Sequence, residues 1–351
     1  MKTTFFLRLF TPMAVLCTGL VPALRAWDSV GHGIVNELAL ASLPADFPPF
    51  VHEPANTARI AFLAGEPDRW SHALDLPIKH YNWPDHYCDL EMLTDAGLDL
   101  QALPSFRYDF VMAFAAGRAA HPDKFPAIDP AKDTDHTREW PGFLQWTVTE
   151  YYGKLKAGFS SLKVYEEAGT PEEIANARAD IVYLMGIMGH YVGDSAQPLH
   201  LTVNHNGWVG PNPRNYTTWQ GFHYWIDGGF IAKAGIQASE IAPRVTPAKV
   251  ISLAPRPDGR DPVFVAMMDF MLEQSKLVEP LYQMEQAGKL NHDATPPSAE
   301  GRTFIDGQLL KGGEMLGAIW LTAWRAAPPD AFLRGQVLNR HAAAAGAPAA
   351  P

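Results

Sequence analysis

Between Tyr183 and His200 the chain reads Tyr-Leu-Met-Gly-Ile-Met-Gly-His-Tyr-Val-Gly-Asp-Ser-Ala-Gln-Pro-Leu-His, an apolar stretch broken by one imidazole and one carboxylate four residues apart. Apolar residues on every side predict a buried helix, and residues i and i+4 of a helix project from one face. His190 and Asp194 are therefore carried into a core together. Burying them is costly unless they pair with each other or coordinate a cation. Pro198 ends the helix and leaves His200 just beyond it. Gly186, Gly189 and Gly193 each weaken a helix by about 1 kcal/mol relative to alanine, which makes sense if something approaches the backbone closely.

One such pair also fits an ordinary hydrogen-bonded core pair. The pattern recurs, however, in Gly221-Phe-His223-Tyr-Trp-Ile-Asp227, again with His and Asp four apart. With His200 between them, the two pairs supply nitrogen and oxygen donors of the kind zinc accepts.

The surrounding chain predicts an all-α fold, a single multi-helix domain with long Pro/Gly-rich loops. No 20 to 50-residue repeat and no alternating strand pattern is present, whereas apolar residues recur at i, i+3, i+4 and i+7. The expected helices are Val30 to Ser42, Thr57 to Ala64, Arg107 to Ala120, Pro141 to Glu167, Pro171 to Ala196, Gly221 to Ala234, Pro262 to Ala287 and Thr303 to Ala326. Thr170-Pro171-Glu172-Glu173 is a start signal, with a capping hydroxyl, a first-turn proline and acids that complement the helix dipole. Ala73 to Pro104, His121 to Thr137, Leu201 to Gln220 and Ala242 to Asp261 read as loops. The Ala/Gly/Pro-rich end, residues 336–351, is expected to be disordered.

The first 26 residues carry Lys2 and Arg8, an apolar run from Met13 to Ala23 and a small residue, Ala26, at the end, which together describe a secretory signal peptide. Residues 27–335 then form the mature domain, secreted or periplasmic. Cys17 leaves with the signal, so Cys88 stands alone and no intramolecular disulfide can form. Removing Lys2, Arg8 and Arg25 with no acid takes the formal net charge from -10 to about -13. Bulk charge excludes polyanion binding by a basic surface, so phosphate recognition would need a local cationic centre such as bound metal. Cleavage after Ala26 would begin the chain at Trp27-Asp-Ser-Val-Gly-His32, where the terminal amine and an imidazole one turn on can share one ion.

In this order the residues resemble the superfamily of bacterial zinc-dependent phospholipases C and the single-strand-specific nucleases of fungi and plants. Its marks are a mature N-terminal Trp, an early His, a helix reading His-aromatic-x-Gly-Asp-x-x-Gln-Pro-[Leu/Met]-His, and a later His-x-x-x-[Asp/Glu]. The likeness spans Trp27 to Asp227. It implies three zinc ions: one on Asp68, His80, His190 and Asp194, a second on His200, His223 and Asp227, and a third on Trp27, His32 and the bridging Asp194. Asp75 competes with Asp68 for its role, and His86 in Pro-Asp-His-Tyr competes with His80. His72 and His205 read as loop histidines.

The resemblance implies phosphodiester hydrolysis, with Asp68 and Asp194 as catalytic residues. The substrate expectation leans to single-stranded nucleic acid, on the spacings Trp27 to His32 and His200 to His223 and on Asp rather than Glu at 227. A phospholipid is the alternative, because His190-Tyr-Val-Gly-Asp194 resembles the phospholipase branch and Asn204-His-Asn-Gly-Trp208 stands where nucleases carry Gly-Gly-Asn. A reading from another class is a non-catalytic metal-binding helical protein. A monomer is expected.

Overall fold

In the computed structural model, which describes residues 28–344 and 346, every regular element among the described residues is helical. The expected signal segment 1–26, Trp27 and the end of the tail lie outside the described residues. In chain order the helices are α1 (Ser29–Ser42), α2 (Pro54–Leu63), α3 (Glu66–Ser71), α4 (Leu76–Asn82), α5 (Leu90–Asp95), α6 (Arg107–Ala120), α7 (Leu144–Ala168) and α8 (Pro171–Ala196). They continue with α9 (Phe222–Tyr224), α10 (Phe230–Ala234), α11 (Ala238–Ile241), α12 (Pro262–Ser275), α13 (Val278–Gln286), α14 (Ala299–Ala326) and α15 (Ala331–Ala344). None is long and apolar enough to cross a membrane.

The start of α8 follows its local signals. Thr170 Oγ1 accepts from the Glu173 amide at 3.2 Å while the Glu173 carboxylate accepts from the Thr170 amide at 2.9 Å, with Pro171 in the first turn. This capping box satisfies donors that the first turn cannot pair internally. From Met185 to Ala196 the helix is buried on all sides. It packs against α1, α2, α7 and α14. Two of its glycines are explained by these neighbours. A Cβ at Gly186 would collide with Leu63, and one at Gly189 with Asn36 Oδ1. Asn36 itself ties three helices together, its amide donating to the carbonyls of Ile60 (2.8 Å) and Gly186 (3.1 Å). What approaches the α8 backbone here is the neighbouring helices themselves.

Three sequence expectations need correction. The segment Pro262 to Ala287 is two helices, because Pro280 has no amide hydrogen to donate and its ring would clash with the carbonyl of Lys276, the position where α12 ends. The last long helix begins at Ala299 rather than Thr303, since Ser298 caps it by accepting from the Gly301 amide at 2.9 Å. Residues 336–344, expected to be disordered, belong to α15, where Val337 is buried and Arg334 and Arg340 pair with Glu167 and Glu173. Composition alone missed that α15 lies against α7. The expected loop Ala73 to Pro104 also holds α4, α5 and a 3-10 turn, Trp83–His86.

That 3-10 turn is positioned by a segment far away in sequence. Asp89 N donates to Pro141 O, Phe143 N to Pro84 O and Leu144 N to Tyr87 O. The approach is so close that Gly142, at φ +97°, leaves no room for a Cβ beside the Tyr87 carbonyl. Arg107 locks the same turn to α7, donating to Asp85 Oδ1 at 2.8 Å, to Thr147 at 2.9 Å and to both Glu150 oxygens.

Gly189→Ala is expected to destabilise the protein by about 1–3 kcal/mol, the usual range for overpacking. Urea unfolding monitored by circular dichroism measures this, and an unchanged midpoint would contradict the close α1–α8 contact.

Candidate metal centre

Two imidazoles in the core are oriented by backbone carbonyls. His190 Nδ1 lies 2.7 Å from the Ala64 carbonyl, and His200 Nδ1 lies 2.7 Å from the carbonyl of His86. A carbonyl only accepts, so each Nδ1 carries the hydrogen and each Nε2 keeps its lone pair. Both Nε2 atoms face inward. His190 Nε2 stands 2.8 Å from His86 Nδ1, 3.3 Å from Asp194 Oδ2 and 3.8 Å from Asp68 Oδ1. His200 Nε2 stands 3.0 Å from His223 Nε2 and 3.7 Å from Asp194 Oδ1. Anchoring the outer ring nitrogen on a carbonyl is the usual arrangement of metal-ligating histidines.

His86 is oriented from the opposite ring atom. The Ser71 hydroxyl donates to Pro67 O and is free to accept from His86 Nε2 at 3.2 Å, which turns the Nδ1 lone pair toward Asp194 Oδ2 at 3.4 Å. His32, on α1, stacks on His190 at 3.9 Å between ring centroids and puts Nε2 3.4 Å from Asp194 Oδ1. Asp227 lies in a π turn, Trp225–Gly229, between α9 and α10, with Oδ2 at 2.9 Å from His223 Nε2 and Oδ1 accepting from Gln197. Single π turns occur mostly at functional sites.

The donors fall into three groups whose atoms lie close enough to hold an ion: His32, Asp68 and His190; His86, His190 and Asp194; His200, His223 and Asp227. The residues fit a divalent cation better than they fit one another. Both nitrogens of His32 and both oxygens of Asp194 are buried with no hydrogen-bond partner, although buried polar atoms are nearly always paired. Burial, and then the charges of Asp68 and Asp227, push the Asp194 carboxyl well above its ordinary range. Burial likewise pushes Asp227 up to about 8. It holds His32, His86 and His190 well below the ordinary imidazole range, aided by neighbouring imidazoles. His200 is lowered to about 3 and His223 to about 4, burial again leading. Neutral imidazoles are the ligating form, and a cation would relieve the carboxyls.

The expected residues thus converge, with one correction. His80 is exposed, its Nδ1 at the Asp135 carbonyl, and the side chain that joins the cluster is His86. A signal for this was present, since His86-Tyr87-Cys88-Asp89 completes the pattern His-aromatic-x-Asp, whereas Trp83 takes the fourth place after His80. Asp68 is at the cluster, and its competitor Asp75 is exposed. Trp27 lies outside the described residues, but Asp28 donates its amide to the Asp227 carbonyl at 3.2 Å and caps α1 through its carboxylate.

A cavity of about 480 Å³ opens over the cluster. Asp68, His86, His200 and His223 form its floor, and Trp83, Tyr87, Trp140 and Arg138 stand in its walls. His205 also lines it, edge-on to His223 at 5.7 Å, a placement its loop position did not reveal. The chain matches no protein-family model, no curated protein and no solved structure.

Without a cation, stability should fall at both ends of the pH scale. The folded pKa of Asp227, about 8, lies above its unfolded value of about 3.9, so its contribution is whole below about pH 4 and lost as pH rises through 8. His200 and His223 are depressed, so theirs is present above about pH 6.5 and lost as pH falls toward 4 and 3. Chelated protein is therefore expected to melt lower at pH 8.5 than at 6.5, and added zinc to raise melting temperature more at pH 8.5. Thermal scans with and without zinc check this; an equal zinc effect at both pH values would contradict the assignment.

Proposed function

We propose that this chain is a secreted, zinc-dependent phosphodiester hydrolase acting on single-stranded nucleic acid. The observation that carries the reading is Asp194: a buried carboxylate without hydrogen-bond partners, within 3.3–3.7 Å of nitrogens of His32, His86, His190 and His200. His, Asp and Glu donors around a wet cavity are the ligand set of catalytic zinc sites. The likeness to zinc-dependent phospholipases C and nucleases adds an amine from a processed Trp27, and the anchoring of Asp28 beside Asp227 supports it. Three ions are the expected number.

Bound zinc would supply the positive charge that a phosphodiester anion needs and would acidify water at the site. The chain's own residues do the rest. His32, His86, His190, Asp194, His200, His223 and Asp227 would hold the ions, their rings set by the carbonyls of Ala64 and His86 and by Ser71. Asp68, partly exposed at the cavity floor, is placed to orient the attacking water. Tyr87 and Trp83 offer faces for a base.

The cavity wall favours nucleic acid over a choline headgroup, because the cations Arg138 and Lys132 line it. A guanidinium attracts a second phosphate and repels a quaternary ammonium.

Correctly processed protein is expected to contain zinc and to release acid-soluble nucleotides from single-stranded DNA or RNA. Zinc without hydrolysis of any diester would make the centre structural, and release of phosphocholine from lecithin alone would shift the reading to a phospholipase C. Asp194→Asn is expected to lower kcat/KM on the order of 100-fold or more and to reduce zinc content. One residue added before Trp27 is expected to abolish catalysis while the far-ultraviolet dichroism stays unchanged.

A further inference from the structure

The catalytic cavity does not end at Trp140. A second cavity of about 360 Å³ lies on the other side of this residue, which lines both. The second cavity is walled by Phe114, Phe125 and Arg118, with Ala115 and Ala119 on α6 leaving it open. We propose that this second cavity is a nucleotide subsite, which takes the next unit of a single-stranded nucleic acid whose scissile phosphate lies at the metal centre. The proposal rests on the hydrolase reading above and extends it to the length of substrate the protein grips.

Three observations lead to this ligand. First, aromatic and cationic groups alternate along the path. Tyr87 and Arg138 belong to the first cavity, Trp140 to both, and Arg118 and Phe125 to the second. A polymer that repeats a flat ring and one negative charge per unit matches that alternation. Second, the groups are held in place. Buried Asp133 accepts from the Thr137 and Arg138 amides, both at 3.0 Å, and so folds the loop that presents Arg138. The Trp140 indole sits against Phe114 and Phe143 at 6.1 and 5.8 Å. The Arg118 guanidinium lies over Phe125 at 5.6 Å and its only carboxylate contact is Glu139, 3.5 Å away and half exposed. A surface pair of that kind is weak enough for a phosphate to displace. Arg138 has no carboxylate partner at all among the described residues. Third, a chain of net charge -10 has little general attraction for a polyanion. Two guanidiniums flanking one indole therefore make a local site.

The test measures binding apart from turnover. Fluorescence anisotropy with a labelled eight-residue oligo-dT is run on full-length processed protein in chelator, so that nothing is cleaved. Ala115→Glu places a negative charge at an exposed position of the second cavity, and Arg118→Gln removes its cation. Each is expected to weaken binding roughly fivefold or more. Arg118→Gln should also reduce the slope of log Kd against log salt by about 0.7, the value for one phosphate contact on a single strand. On zinc-loaded protein, hydrolysis of bis(4-nitrophenyl) phosphate, too small to reach the second cavity, should match wild type in both variants. The gain in kcat/KM from a dinucleotide to an octanucleotide should shrink in both.

Wild-type affinity for the oligonucleotide in both variants would overturn the subsite, as would displacement of the oligonucleotide by phosphatidylcholine vesicles. Failure of the hydrolase reading looks different: wild-type protein would cleave no diester, yet would still bind the oligonucleotide in a way that depends on Ala115 and Arg118. Melting temperatures and zinc content of the variants confirm that each is folded.

Discussion

A carboxylate with no hydrogen-bond partner, sealed in the core of a helical protein, is the constraint around which the rest is arranged. Asp194 is fully buried and four imidazoles face it. Desolvation would drive it to the protonated form, and none of the surrounding rings is placed to carry the balancing charge, since burial keeps each of them neutral. Replacing such a group with an apolar residue would stabilise an ordinary core. Its presence at the centre of α8, the helix most enclosed by its neighbours, makes sense when a cation supplies the missing charge.

The geometry of that centre is set by the backbone. The carbonyl of Ala64 follows the last turn of α2, the carbonyl of His86 closes a 3-10 turn, and each fixes which nitrogen of a histidine faces inward. His86 thus contributes a ring to one group of donors while its peptide oxygen orients His200 in another. Displacing this one turn would disturb both groups. The fold protects the turn accordingly, through three backbone hydrogen bonds to residues 141–144 and through Arg107, whose guanidinium is shared among Asp85, Thr147 and Glu150. Asp85 is buried and its carboxyl is raised by desolvation even with Arg107 beside it. This ion pair serves less as net stabilisation than as a means of holding one conformation.

The same juxtaposition builds the cavity. Bringing residues 141–144 against residues 84–89 carries Trp140 and Arg138 over the cluster, so one set of contacts orients His86 and raises the wall opposite it. An acidic protein acquires a locally cationic cleft in this way without a basic surface elsewhere. Exposed charges at such distances are screened in salt, while groups in a recessed cavity are screened less.

Much of the centre could be read directly from residue order. His190 with Asp194, and His223 with Asp227, are four residues apart on helical segments, and helix geometry alone puts each pair on one face. The capping box at Thr170, the proline stop after α8 and the buried character of the stretch around them are local as well, so the central helix and its two ligands followed from sequence. The choice of His86 over His80 did not. Both follow Asp68 within one irregular stretch, and which of them reaches Asp194 depends on how that stretch packs against α7, a contact between residues more than 50 positions apart. The same holds for α15, whose composition reads as tail and whose order comes from ion pairs to α7 and α8. Local spacing decides what a helix presents, because its period is fixed by covalent geometry and hydrogen bonding. Which distant segments meet across the core is decided only when the whole chain has excluded water between them.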